Sequence, residues 1–411
     1  MYRLGIAVYS WIFRFVALFH KKANKMVTGH KETWRILSRQ VDHKRPWLWF
    51  HAASLGEFEQ GRPIMERIRK EHPEYAILLT FYSPSGYDVR KDYSGADVVC
   101  YLPFDRKKNV QRFLNIVRPA SAFFIKYEFW PNYLAALYKR KIPTYLVSGI
   151  FREDQAFFKT LAAPYRNILR YFTHFFVQDE NSVRLLASIG YSDNVTISGD
   201  TRFDRVLEIR KGAKQLDIIE SFIQKSRSGN GTILITGSSW PKDEALYIPY
   251  FNEHPELRLI IAPHEINEEH LNSIEAQLTR PFCRYSATTA EEAGRYDCII
   301  IDCFGLLSSI YRYGDIAYIG GGFGAGIHNT LEAAVYGIPV IFGPNYEKFA
   351  EAKALLQCGG GITIQTKEEV ESVLERLLTE KAFCLSTGKK AGELVKNGSG
   401  GTDIILRHLF K

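Results

Sequence analysis

Between residues 320 and 326 five of seven positions are glycine, and His328, Asn329 and Glu332 follow at once. Bare backbone lets amide groups approach an anion closely, and a helix opening after such a loop presents unpaired N–H groups and a positive dipole end. The stretch "IGGGFGAGIHNTLEAAVYGIPVIFGP" (319–344) therefore reads as strand, loop and helix. Gly322, Gly326, His328 and Asn329 would surround a phosphate, with Glu332 one turn into the helix and within reach of a ribose hydroxyl. The alternative is a plain tight turn in which Glu332 only favours the helix dipole. Residues 320–325 match G-x-G-x-x-A, but too far along the chain for a dinucleotide dehydrogenase.

Other polar residues stand where apolar runs stop. In "HAASLGEFEQG" (51–61) Gly56 turns the chain so that Glu57 opens a helix, either as a general base or as a helix-stabilising carboxylate. His51 and Ser54 suggest a hydrolase, but no G-x-S-x-G elbow accompanies them. "FFIKYEFWPNYL" (123–134) brings Lys126 and Glu128 to a strand end, and a carboxylate in so aromatic a setting must be hydrogen-bonded or functional. "SGDTRFDRV" (198–206) adds Arg202, a cation suited to an acidic substrate, and Asp204. "ITGSSWPKDE" (235–244) ends in Ser238 and Ser239, small donors for a phosphate or sugar; "IIAPHEINEEH" (260–270) ends a strand in His264 and Glu265. No D-x-D and no His pair at ligand spacing occurs, so neither a catalytic metal nor a cofactor is expected.

These positions need a scaffold of strand ends, and the pattern supplies one. From residue 46, continuous apolar runs ("WLWFHAAS", "YAILLTFYS", "DVVCYLP", "SAFFIKYEF", "IPTYLVSGI", "HFFVQD", "NVTISGD") alternate with helical patterns. A polar stretch ending in Ser-Gly-Asn-Gly interrupts them. The rhythm then restarts with "TILITGSS", "LRLIIAPH", "FCRYS", "DCIIID", "DIAYIGGG", "IPVIFGP" and "GITI". Apolar strands alternating with helices predict an α/β fold of two doubly wound, Rossmann-like domains facing a cleft, with ligands beyond the carboxyl ends of the strands. The expected boundaries are 1–45 for an arm, 46–207 for the first domain, 208–230 for a linker and 231–411 for the second domain.

Charge is uneven. Ten of the 53 Lys and Arg, but only two of the 45 Asp and Glu, lie in residues 1–45, so the remaining chain is balanced and nucleic acid is not an expected partner. Leu4–Phe19 is 16 residues with Arg14 inside, short of the roughly 20 that a span requires. On one helix, Arg3, Ser10, Arg14, Lys21 and Lys25 form a narrow basic stripe along an apolar cylinder. This predicts an amphipathic segment, residues 1–25, on an anionic membrane surface; a first helix docked on its own domain and a tilted span are the alternatives. Six cysteines without a C-x-x-C indicate reduced thiols in a cytoplasmic compartment.

Taken in order, "HAASLGE", "YEFWPNYLAALYKRKIP", "SGDTRFD", "GSSWPKDE", "APHE" and "GGGFGAGIHNTLEAAVYGIPVIFGP" resemble the Kdo (3-deoxy-D-manno-octulosonic acid) transferases of lipid A and lipopolysaccharide assembly, nearly end to end. The resemblance implies a GT-B glycosyltransferase of the cytoplasmic face of the inner membrane, inverting and metal-independent, moving Kdo from CMP-Kdo to a lipid A precursor (lipid IVA). It implies Glu57 as the base, Glu128 and Arg202 as transition-state stabilisers, and a CMP site from Pro263, His264, Phe304, Gly305, Leu306, Asn329, Thr330, Leu331 and Glu332. Three positions depart from the family pattern: Pro263-His264-Glu265 for Pro-Arg-His-Pro-Glu, Arg202 for Lys, and Phe304-Gly305-Leu306 for Met-Gly-Glu. Donor contacts then fall more heavily on Gly320–Glu332. The rival readings are a membrane-associated GT-B transferase using a UDP-sugar, as a lipid A disaccharide synthase does, and a non-catalytic binding scaffold.

Overall fold

The computed structural model describes residues 2–159, 163–228 and 231–410. Each of the fourteen apolar runs forms a strand. Seven make a parallel sheet in the first unit: β1 (Trp47–Ala52), β2 (Ala76–Phe81), β3 (Val98–Tyr101), β4 (Pro119–Ile125), β5 (Thr144–Gly149), β6 (His174–Val177) and β7 (Val195–Ile197), in the order β3-β2-β1-β4-β5-β6-β7. Seven more make the second: β8 (Thr232–Ser239), β9 (Leu257–Pro263), β10 (Phe282–Arg284), β11 (Cys298–Ile300), β12 (Ile316–Ile319), β13 (Val340–Phe342) and β14 (Gly361–Thr363), in the order β10-β11-β9-β8-β12-β13-β14, again parallel. Every residue of β1, β2 and β9 is buried, the signature of a sheet covered on both faces.

Both strand orders reverse once, between β1 and β4 in the first unit and between β8 and β12 in the second. At such a switch point the connecting segments leave in opposite directions and open a crevice at the carboxyl edge. Left-handed backbone at non-glycine residues occurs near these edges, at Lys126 (φ 69°), Ser148 (φ 50°) and Ser238 (φ 54°). Such conformations cost on the order of 1 kcal/mol or more and persist only where the surroundings impose them. After β4, the Lys126 amide donates to Val147 O at 2.8 Å. The buried Asp105 carboxylate then accepts from the Asn132 and Tyr133 amides (2.9 and 3.0 Å), fixing the start of the helix Pro131–Lys139. Together these clamps set the loop that carries Glu128.

Three expected boundaries are corrected. The stretch 208–230 is not an open linker: its described residues form the end of the helix Arg202–Lys211 and the helix Asp217–Ser228, whose Ile219, Phe222 and Ile223 are buried. Leu216, Ile219, Phe222 and Ile223 repeat at helical spacing, and that stripe binds the helix into the second unit, Val206–Gly398. Ser399–Lys411 belongs instead to the first unit. There Asp204 accepts from the Gly400 and Thr402 amides (2.6 and 2.7 Å), and Ile405 and Leu406 enter the core around Phe58 and Ile64.

The basic arm is also not one element. Helix α1 (Tyr2–Val16) ends, and α2 (Lys21–Gln40) restarts with His20 accepting from the Ala23 amide at 3.4 Å, so the stripe from Arg3 to Lys25 does not lie on a single cylinder. The side chains of Arg3, Ser10 and Arg14 lie outside the described set. Lys25 is paired with Asp88 at 2.7 Å, and α2 is docked through buried Thr33 and Leu37, with Thr33 donating to Tyr101 O at 2.9 Å. Helix α1 rests Tyr9 and Phe13 edge-on against Phe104 and turns Val8, Trp11, Ile12, Phe15 and Val16 outward. Trp11 is 70% exposed and Phe19 79%. No described helix is long and apolar enough to cross a membrane.

Candidate active site

In the first unit the switch point gathers His51, Glu57, Glu128 and Trp130 around the ends of the adjacent strands β1 and β4. Helix α3 (Leu55–Glu71) begins after Ser54, whose amide donates to Glu57 Oε2 at 3.0 Å and whose hydroxyl donates to the same oxygen. This is a capping box, so Glu57 does stabilise the helix start, as one sequence reading held. It is half-buried at the carboxyl edge, which leaves the base reading open. Glu128 Oε2 accepts from Trp130 Nε1 at 2.8 Å and lies 3.3 Å from Nε2 of His51. His51 is fully buried, with Nδ1 3.0 Å from Thr80 Oγ1 and Nε2 accepting from Trp130 Nε1 at 3.0 Å, so both ring nitrogens are engaged within the fold and Trp130 links the ring to Glu128.

Arg202 folds onto Asp200, with Nε and Nη2 both on Oδ2 (2.9 and 2.7 Å), while Gln60 donates to the same oxygen at 3.1 Å. Burial pushes the Asp200 carboxyl up, but the Arg202 charge and these hydrogen bonds outweigh it and hold it below its ordinary value. The arginine is therefore oriented by a counter-ion. The sequence reading passed over Asp200, although it lies two residues away in the same motif.

In the second unit a cavity of about 660 Å³ sits at the β8/β12 switch point, lined by Trp240, Lys242, His264, Phe323, Gly326 and His328 among others. Its wall is a stack of three rings: Trp240 against His264 (4.6 Å between centroids) and His264 against His328 (4.4 Å). Trp240 Nε1 donates to His328 Nε2 at 3.2 Å. Burial, followed by the neighbouring His264, lowers the His328 pKa to about 4, so the ring is neutral and its proton sits on Nδ1. Behind the stack, Asp243 accepts from the Gly321 amide and from Tyr318 OH, both at 2.9 Å, and its pKa is raised by burial. Ser239 donates to buried Glu244 at 2.9 Å, and Glu244 lies 3.0 Å from His270 Nε2, so Ser239 faces inward.

The glycine loop differs from the expected amide cradle. Amides of Gly320, Gly321, Gly324, Gly326 and His328 already donate to Gly237 O, Asp243, Gly321 O, Gly321 O and Gly320 O. A Cβ at Gly320 would stand 2.3 Å from Ser238 O, and one at Gly322 would stand 2.6 Å from Gly343, so these glycines are first required for close backbone packing. The helix expected from Asn329 is only Leu331–Ala334. Asn329 donates to Glu332 at 3.0 Å, while Thr330 and Leu331 are buried.

Of the expected donor-site residues, the cavity collects His264, Gly326 and His328. Ser238, Ser239, Pro263, Gly322, Asn329, Thr330, Leu331 and Glu332 do not line it. Phe304, Gly305 and Leu306 lie outside it as well, with Phe304 79% exposed. Sequence reasoning missed Trp240 and Lys242, although both stand in "GSSWPKDE". Among the described residues no group of three or more His, Cys, Asp or Glu is arranged to hold a metal ion.

Two doubly wound parallel-sheet units in tandem define the GT-B class of fold. Solved structures share it at low identity: the UDP-GlcNAc 2-epimerase from Neisseria meningitidis bound to UDP-GlcNAc (TM-score 0.60, 14% identity, 88% of this chain and 99% of that one) and Acinetobacter baumannii MurG (TM-score 0.53, 11%, 89% and 98%). Residues 24–205 match the family model described as 3-deoxy-D-manno-octulosonic-acid transferase (kdotransferase). The chain is 28% identical over 341 residues to the 3-deoxy-D-manno-octulosonic acid transferase of Aquifex aeolicus, covering 81% of this chain and 86% of that protein. To the Haemophilus influenzae transferase it is 24% identical over 371 residues, covering 87% and 85%. Over most of its length the chain is thus similar to Kdo transferases, which are glycosyltransferase enzymes, and the family match itself spans residues 24–205.

Proposed function

We propose that this enzyme moves Kdo from CMP-Kdo to a lipid A precursor, lipid IVA, in lipopolysaccharide assembly, with inversion and without a metal or cofactor. The observation that carries the reading is the ring-walled cavity at the β8/β12 switch point, in a chain similar to Kdo transferases over most of its length. Its volume lies within the roughly 300–1,000 Å³ typical of small-ligand sites.

In the proposed reaction an acceptor hydroxyl oxygen bonds to the anomeric carbon. The bond from that carbon to the CMP phosphate breaks, and its electron pair leaves with cytidylate. Glu57 takes the hydroxyl proton; the Ser54 amide and hydroxyl steady its carboxylate. Glu128, held by the Trp130 indole, and Arg202, held by buried Asp200, act on the charge of the transition state. On the donor side the cation at the cavity is Lys242, which takes the place of the guanidinium missing from Pro263-His264-Glu265.

Work at the cytoplasmic face of the inner membrane is supported by the outward apolar stripe of α1, a surface suited to lie in the headgroup region. Competition by free nucleotides tests the donor: CMP is expected to bind at least tenfold more tightly than UDP. A preference for UDP would move the protein to the UDP-sugar transferases.

A further inference from the structure

A second cavity, of about 620 Å³, is unrelated to the chemistry described above. It is lined by Tyr138, Lys139, Lys141, Ile142, Pro143, Arg170 and their neighbours Tyr171–Thr173. Residues 141–143 run into β5 and residues 171–173 into β6, so the cavity lies at the amino-terminal edge of the first sheet. The candidate catalytic groups lie at the opposite edge, a strand length of roughly 15–20 Å away.

Three cations line this cavity and no carboxylate does. Lys139, Lys141 and Arg170 have no ion-pair partner among the described residues, whereas Arg284 is paired with Glu268 and Glu275, and Arg205 with Glu66. The neighbouring Arg140 is held by neutral acceptors, Gln111 and Asn115, both at 2.7 Å. Lys139 also lies at the carboxyl end of its helix, where a cation is favoured by the dipole. That account does not extend to Lys141, which is fixed in a left-handed turn (φ 56°), or to Arg170, whose guanidinium lies 5.2 Å from the Tyr171 ring centre. Tyr138 and Tyr171 face each other with centroids 5.3 Å apart. Aromatic walls, an apolar floor and three unmatched cations fit an anion with two or more charges that also carries an apolar or ring portion. A phosphate ester meets both demands, with near-dianionic charge and oxygens matched to a guanidinium fork.

We infer that this cavity is a binding site for a phosphate-bearing ligand, separate from the transfer site. The phosphate comes either from a soluble ester or from an anionic lipid headgroup. The test compares the full-length protein with the Lys139→Gln/Lys141→Gln/Arg170→Gln variant, whose three side chains are exposed and so replaceable without loss of core. Two probes are used: inorganic pyrophosphate by calorimetry with CMP saturating, and phosphatidylcholine vesicles with and without phosphatidylglycerol by sedimentation. Equal melting temperature and equal circular dichroism establish that the variant is folded; if it is not, Lys141→Glu alone is measured the same way. A tenfold or greater loss of pyrophosphate affinity supports a soluble ester. A comparable loss confined to phosphatidylglycerol vesicles supports a lipid headgroup; about one kcal/mol per cation near such a surface predicts on the order of a hundredfold loss. Unchanged binding of both probes overturns the site. None of these readouts uses Kdo transfer, so the inference stands or falls independently of the proposed reaction.

Discussion

The indole N–H of Trp240 donates to Nε2 of His328 at 3.2 Å, tying the end of β8 to the loop after β12 across the switch point of the second sheet. With Nε2 accepting, His328 must hold its proton on Nδ1. Trp240→Phe keeps a ring to stack on His264 and removes the donor. A lost hydrogen bond of about 1 kcal/mol corresponds to a several-fold to tenfold weaker CMP affinity. Calorimetry that finds the affinity unaltered would remove Trp240 from the donor site.

His328 also gives a pH signature. Its folded pKa of about 4 lies below the ordinary histidine value near 6.5, so the unfolded chain binds the proton more tightly. Its contribution to stability is complete above pH 6.5 and is lost as pH falls towards 4. Buried Asp243 and Glu244 are shifted upwards and act in the opposite sense, so the informative quantity is a difference. The melting temperature of wild type minus that of His328→Gln should shrink between pH 6.5 and pH 4. A constant difference would contradict the neutral, buried imidazole.

Asp204 holds the carboxy-terminal helix on the first unit, accepting from the Gly400 amide and from the Thr402 amide and hydroxyl at 2.6–2.7 Å. Asp204→Ala should cost about 3 kcal/mol in urea unfolding and expose residues 399–411 to protease before global unfolding. Unchanged stability would show that the Ile405 and Leu406 packing suffices without this clamp.

Helix α1 offers a test of membrane contact that leaves the core alone. Deleting residues 1–25 would also remove buried Ala23, so exposed positions serve better. Trp11→Ser/Phe15→Ser should weaken sedimentation with anionic vesicles at least tenfold, since each ring buried in lipid contributes roughly 1–3 kcal/mol. Retained binding would assign membrane contact elsewhere.

The strands were legible because a parallel sheet covered on both faces demands unbroken apolar runs, and all fourteen segments met that demand. Helices set by distant packing were not. Ile219, Phe222 and Ile223 form a clear stripe that the polar residues around them obscured, and nothing in "GTDIILRHLF" indicates which unit receives it. The cavity proposed for the donor was half legible: the glycine loop marked the β12 end, but Trp240, His264 and His328 come from three separate connections and meet only in space. Asp200 and the Glu57 capping box were visible as residue types; their hydrogen bonds were not.

In the proposed reaction the Glu57 carboxylate accepts the acceptor proton while Kdo leaves CMP. Radiolabelled Kdo transfer from CMP-Kdo to a tetra-acylated lipid A precursor, with wild type and Glu57→Gln side by side, tests it most directly. Glutamine keeps an oxygen for the Ser54 cap, so fold and CMP affinity should be preserved while turnover falls at least a thousandfold. A Glu57→Gln enzyme with wild-type turnover, or a wild type that binds CMP and transfers nothing, would contradict it.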